Sequence, residues 1–184
     1  MGIFAASSGS AQPMIEEQTE YYGFDANSRQ QIWQQILAKS PKGATTIAGH
    51  HAVNVATTQW WLEARYQLEA GLQRCELKSV QPQLKIVIRL PHWRNKWQAD
   101  KILAENWDNY LRMVANHEDI HRQYAIRMVN EFEEALLGLG SYRRCRDLKE
   151  DIEKTRLQVI GKYKAKNKWF DANEYTYQKE LVWF

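Results

Sequence analysis

The chain has 184 residues, with 25 Lys and Arg against 22 Asp and Glu for a formal charge of +3, and 12% of its residues are aromatic, including 8 tryptophans. That length suits one domain with an ordinary core, and so mild a charge, with no interleaving of basic and aromatic residues, argues against a nucleic-acid-binding module. No apolar run approaches the ~18 residues that a membrane-spanning helix needs, so the chain is expected to be soluble, with no transmembrane segment.

In chain order, Met1–Pro13 is rich in Ala, Ser and Gly and lacks the basic start and sustained apolar stretch of a signal peptide. It reads as a disordered leader extending to residue 18, ahead of a single domain over 19–184. Glu20–Phe24 is expected as a short strand, and Asp25 or Asn27 as the cap of a helix over Arg29–Ala38 whose apolar face is Ile32, Trp33, Ile36 and Leu37. Ser40-Pro41-Lys42-Gly43 ends that helix. A β-rich block follows at Ala52–Thr58, Trp60–Gln67 and Leu84–Leu90, with Pro91 as the expected terminator. Ala99–Leu137 then reads as a short helix followed by a long one, stopped by Gly138-Leu139-Gly140, and a second long helix is expected over Tyr142–Lys168. Strands first and helices second predict an α+β domain, a small antiparallel sheet packed on two long helices.

The first long helix carries His117-Glu118-Asp119-Ile120-His121, an H-E-x-x-H motif. Histidines four apart lie one turn from each other on one helical face, so both imidazoles reach a single metal ion, and Glu118 is placed to hold a water at that ion. The pair continues the apolar stripe Trp107, Tyr110, Leu111, Val114 and then Ala125, Met128, Val129, Phe132, which turns it inward. Inward imidazoles need partners, and a metal gives one to each ring while the other nitrogen donates to a neighbour. The alternative is two core histidines satisfied by side chains or backbone. Asp119 points away from the pair, toward solvent or an outer layer of contacts.

Other chemistry-bearing residues are less directive. His50 and His51 are adjacent ahead of a strand, where alternation sends them to opposite faces. Lys162, Lys164, Lys166 and Lys168 spread around a helix end as solvated charges. Leu84–Leu90 is a candidate for holding an extended peptide by edge pairing. Cys75 and Cys145 either stand as two buried thiols or form one bridge, which would close a long loop, add about 3–4 kcal/mol and imply an oxidising compartment.

An ordered set of residues runs through the chain: Tyr21-Tyr22, Gly49, Trp60-Trp61, Cys75, Leu90-Pro91-His92-Trp93, Trp107 and Tyr110 ahead of His117-Glu118-x-x-His121, Cys145, and Phe170-Asp171. In this order, over Tyr21–Asp171, the chain resembles the bacterial domain-of-unknown-function family 922, described as predicted secreted zinc-dependent proteases. The resemblance implies a zincin-like metallopeptidase with Zn2+ as cofactor and a peptide or protein as substrate. It also implies a periplasmic or secreted location and a Cys75–Cys145 disulfide.

The family pattern continues after its aromatic-Asp pair with Thr and then His-Gly, whereas this chain reads Phe170-Asp171-Ala172-Asn173-Glu174-Tyr175-Thr176-Tyr177. Thr176 stands where the family has its His, and Glu174, two residues earlier, is the expected substitute as third metal ligand beside His117 and His121. Arg127, ten residues after His117, and Tyr124, in place of a tight-turn glycine, exclude the metzincin pattern. Asp147, Glu150 and Asp151 on the next helix, and Asp171 in the tail, are the other acidic candidates. Glu118 is the expected general base of a peptide hydrolysis, with His92, Tyr163 and Tyr175 as possible oxyanion donors. The altered tail also suits a catalytically inactive zincin-like domain used for binding.

Overall fold

The computed structural model describes residues 9–10, 12–41, 44–47 and 50–178, with side chains over 12–41 and 54–174. Along the chain run β1 (Gly9–Ser10), β2 (Met14–Phe24), α1 (Arg29–Lys39), β3 (Ala44–Ile47), β4 (His50–Val53), β5 (Thr57–Ala70), β6 (Cys75–Trp93), α2 (Lys101–Leu137) and α3 (Cys145–Gln178), with a 3-10 turn at Lys96–Gln98 ahead of α2. The protein is of mixed α+β type. None of its described helices is long and apolar enough to cross a membrane.

Strand β6 is common to β1, β2 and β5, and β3 with β4 forms a separate antiparallel pair. The sheet is not wholly antiparallel as expected: β1 runs parallel to β6, with Gly9 opposite Ser79 and Ser10 opposite Val80. Parallel neighbours need a long crossover, and the intervening chain, which includes α1, supplies it. Pro91 does not end β6, because a proline removes only its own N–H. The Arg94 N–H still donates to the Phe24 carbonyl at 2.9 Å, so pairing with the end of β2 carries past the proline. With three strands paired to β6, Leu84–Leu90 is not the free edge proposed for an extended peptide. Strand β2 begins at Met14, within the stretch read as leader up to residue 18. Residues 1–8 and 11 of that stretch lie outside the described residues.

Two compact units interleave along the sequence. The first comprises 1–16, 60–85 and 125–165. Its buried residues include Val80 and Leu84 of β6, Met128, Val129, Phe132 and Leu136 of α2, and Leu148, Ile152, Val159 and Tyr163 of α3. The three- and four-residue spacing on α2 is why that segment is helical and which face it buries. A disulfide joins Cys75 to Cys145, the first residues of β6 and α3. Beside it the Cys75 N–H donates to the Tyr142 carbonyl at 2.7 Å and the Tyr142 N–H to the Cys75 carbonyl at 2.9 Å.

The second unit comprises 17–59, 86–124 and 166–184. Its core is Phe24, Ala26, Ile32, Ile36, Val55, Trp93 and Trp107. The Trp107 ring meets Phe24 edge-on at 5.5 Å and Trp93 at 6.0 Å, so the N-terminal half of α2 is held against the ends of β2 and β6. Ser28, not Asp25 or Asn27, caps α1, its hydroxyl accepting from the Gln31 N–H at 3.3 Å. Asp100 does the same for α2, accepting from the Leu103 N–H at 2.9 Å. Gly138 follows the last residue of α2, as the glycine stop predicted.

The disulfide spans 70 residues of sequence, and closing so long a loop lowers the entropy of the unfolded chain by about 4 kcal/mol at 25 °C. The Cys75→Ser, Cys145→Ser double variant is therefore expected to unfold at a markedly lower urea concentration than the oxidised wild type. Equal midpoints would show that the bridge contributes nothing to stability.

Candidate metal centre

The stripe of α2 that packs on the second unit's core, Trp107, Tyr110, Leu111 and Val114, continues at the same spacing into His117, Glu118 and His121. Glu118 is 5% exposed and His121 9%. The Nε2 atoms of the two histidines are 3.0 Å apart. Asp171, from the last turns of α3, places Oδ1 2.9 Å from His121 Nε2 and 3.4 Å from His117 Nε2. On the far side of the rings, His117 Nδ1 faces Glu174 Oε2 and His121 Nδ1 faces Asn167 Oδ1. Phe170 stacks on the His117 ring at 5.0 Å and meets His121 edge-on at 5.3 Å. Residues 167, 170, 171 and 174 share one face of α3 through their three- and four-residue spacing.

His117, His121 and Asp171 are a group able to hold a metal ion. Tetrahedral zinc with N and O ligands at about 2.0–2.1 Å separates those ligand atoms by roughly 3.3 Å. The three edges here, 3.0, 2.9 and 3.4 Å, are close to that value. Three protein ligands so spaced would leave a zinc ion one further position for water or substrate. Two imidazoles and a carboxylate are also ligand types that zinc takes, so the residues fit the ion in both chemistry and size.

The electrostatics agree with the geometry. Burial works against a charged His117 ring, but hydrogen bonds to Asp171 and Glu174 outweigh it and push its pKa up to about 9. Burial would raise Asp171, but the hydrogen bonds it accepts from His117 and His121 hold it well below the usual carboxylate range. The cluster thus draws positive charge to the point between its three atoms. Burial dominates at Glu118 and raises its pKa, against the Thr58 hydroxyl, which donates to Glu118 Oε2 at 2.6 Å.

Residues 19–178 match the profile of a family described as bacterial protein of unknown function (DUF922). The chain belongs to this family. No curated protein and no solved structure matches it.

In this DUF922 chain His117, Glu118 and His121 come together as the motif predicts. The third corner belongs to Asp171, whereas Glu174, the expected ligand, sits on the outer nitrogen of His117. Both lie on the same helical face, three residues apart. Asp147 and Glu150 pair with Arg146, and Asp151 accepts from the Tyr142 hydroxyl, all within the first unit. Asp119 binds Arg122 and Gln123 along α2. His92 is exposed beside Tyr21, and Tyr163 donates to Glu131. The side chains of His50, His51, Tyr175 and Thr176 lie outside the described side chains. Thr58 and Asn167 were not singled out from sequence; neither belongs to a motif, and Asn167 becomes legible only once the helix is known to reach Asp171, four residues on.

The raised His117 pKa has a signed consequence for the metal-free protein. An unfolded His titrates near 6.5 and this one at about 9, so its stabilisation is fully present below pH 6.5 and is lost as the pH rises through 9. In chelator, the unfolding free energy of the wild type should fall by on the order of 2 kcal/mol from pH 6.5 to 9.5 relative to His117→Gln. Parallel pH profiles for the two proteins would contradict this charge arrangement.

Proposed function

We propose that this protein is a zinc-dependent metallopeptidase of the zincin type, with His117, His121 and Asp171 as zinc ligands and Glu118 as general base. The observation that carries the reading is the convergence of His117 Nε2, His121 Nε2 and Asp171 Oδ1 at near-tetrahedral spacing beside a buried glutamate. Zinc held there supplies Lewis acidity, polarising a peptide carbonyl and acidifying a water.

The remaining chemistry falls to the chain's own groups. Thr58 occupies Glu118 Oε2, which leaves Oε1 to take a proton from the attacking water and return it to the leaving amine nitrogen. Burial keeps the proton affinity of that carboxylate above that of an exposed glutamate, as a group that must both accept and donate near neutral pH requires. Phe170 covers one face of His117 and limits the approach of bulk water to the rings. Action outside the cytoplasm belongs to the same reading and is supported by the Cys75–Cys145 disulfide, a bond that persists in oxidising compartments.

The test combines metal content with a peptide-library digest. Wild type should carry about one zinc per chain, which His117→Ala, His121→Ala removes, and Glu118→Gln should keep the zinc while losing roughly 10²–10⁴-fold in hydrolysis rate. Hydrolysis undiminished in either variant would refute the assignment. Stoichiometric zinc with no cleavage of any peptide would make the protein a metal-binding domain instead of a peptidase.

A further inference from the structure

We infer that Glu174 and Asn167 are positioning residues that fix which nitrogen of each histidine faces the metal, Glu174 acting on His117 and Asn167 on His121. The inference rests on the metal reading above and assigns roles to two residues outside the ligand set.

A neutral imidazole has one N–H and one lone pair, and the partner of either nitrogen decides which is which. Glu174 presents a carboxylate oxygen to His117 Nδ1, and Asn167 presents its amide oxygen to His121 Nδ1. Both partners are acceptors; Asp171 competes for the hydrogen from the Nε2 side in the metal-free cluster, but with an ion on Nε2 each Nδ1 would carry the hydrogen and each Nε2 would give its lone pair. Those are the two Nε2 atoms that lie 3.0 Å apart and face Asp171. A donor in either place would put the hydrogen on Nε2 and remove a ligand. Asn167, Asp171 and Glu174 stand at i, i+4 and i+7 on α3, so a single helical face delivers the third ligand and both acceptors in fixed register. The two acceptors differ in charge: the Glu174 carboxylate also makes His117 a more basic ligand, and the Asn167 amide orients His121 without adding charge.

The discriminating property is acceptor capacity. Zinc affinity of the full chain is measured by competition with a chromophoric chelator, with circular dichroism of each metal-free variant as the check on folding. Glu174→Leu and Asn167→Leu, which remove the acceptor, should weaken binding roughly 10–100-fold. Glu174→Gln and Asn167→Asp restore an acceptor and should stay within about tenfold of wild type. Imidazole 15N spectra of the zinc-loaded wild type, which need no variant, should show metal-bound Nε2 and protonated Nδ1 on both rings.

Zinc on Nδ1, or leucine variants that bind as tightly as wild type, would overturn the inference. So would Glu174→Gln falling as far as Glu174→Leu while Asp171→Asn keeps its zinc, since Glu174 would then be the ligand itself. A wild type that takes up no zinc at all would remove the metal reading, a result distinct from zinc binding that is indifferent to the two acceptors.

Discussion

Two imidazole nitrogens 3.0 Å apart, faced by a carboxylate oxygen 2.9 Å from one and 3.4 Å from the other, need a hydrogen or a cation between them. Electron pairs aimed at one point repel unless a proton or a metal ion sits among them. In the metal-free cluster a protonated His117 meets that need, and hydrogen bonds to Asp171 and Glu174 outweigh burial and raise the pKa of that ring to about 9. A divalent ion meets it more fully, because it satisfies all three atoms at once.

The same constraint explains how α3 is held at its far end. Up to Tyr163 this helix buries apolar side chains at helical spacing, but no residue from Lys164 to Glu174 is buried. The final turns are fixed instead by polar contacts with the two histidines and by Phe170 against their rings. On α2 the reverse holds. Its aromatic contacts with the second unit's core set the rotation of the helix before the motif begins, so the placement of His117 and His121 follows from the burial of Trp107 and Tyr110.

This difference decides what the sequence made legible. The extent of the helical stretch was readable almost to the residue, Ala99–Leu137 against Lys101–Leu137, because an apolar stripe and a glycine stop mark it, but it is one continuous helix where a short helix followed by a long one was expected. The second helix was expected to end at Lys168 but reaches Gln178, since its last turns have no apolar period to read. That missing stretch contains Asp171 and Glu174, so the third ligand was placed at Glu174 on the family register alone, and the contact of Asp171 with both Nε2 atoms was not readable. Membership of the DUF922 family was readable from an ordered set of aromatic, cysteine and motif residues spread along the chain. The parallel pairing of β1 with β6 was not, because two residues of strand carry no alternation from which to infer direction. Thr58 escaped for a different reason: its partnership with Glu118 links positions 60 residues apart, and no local pattern announces such a contact.

The central claim is that one ion sits at the meeting point of His117, His121 and Asp171, and the most direct measurement is a crystal structure of the zinc-soaked protein with anomalous data collected at the zinc edge. The account predicts one strong peak about 2.0–2.2 Å from His117 Nε2, His121 Nε2 and an Asp171 oxygen, with the Glu174 carboxylate on the outer nitrogen of His117. A peak elsewhere in the chain, or no peak at these three atoms with zinc in excess, would contradict it.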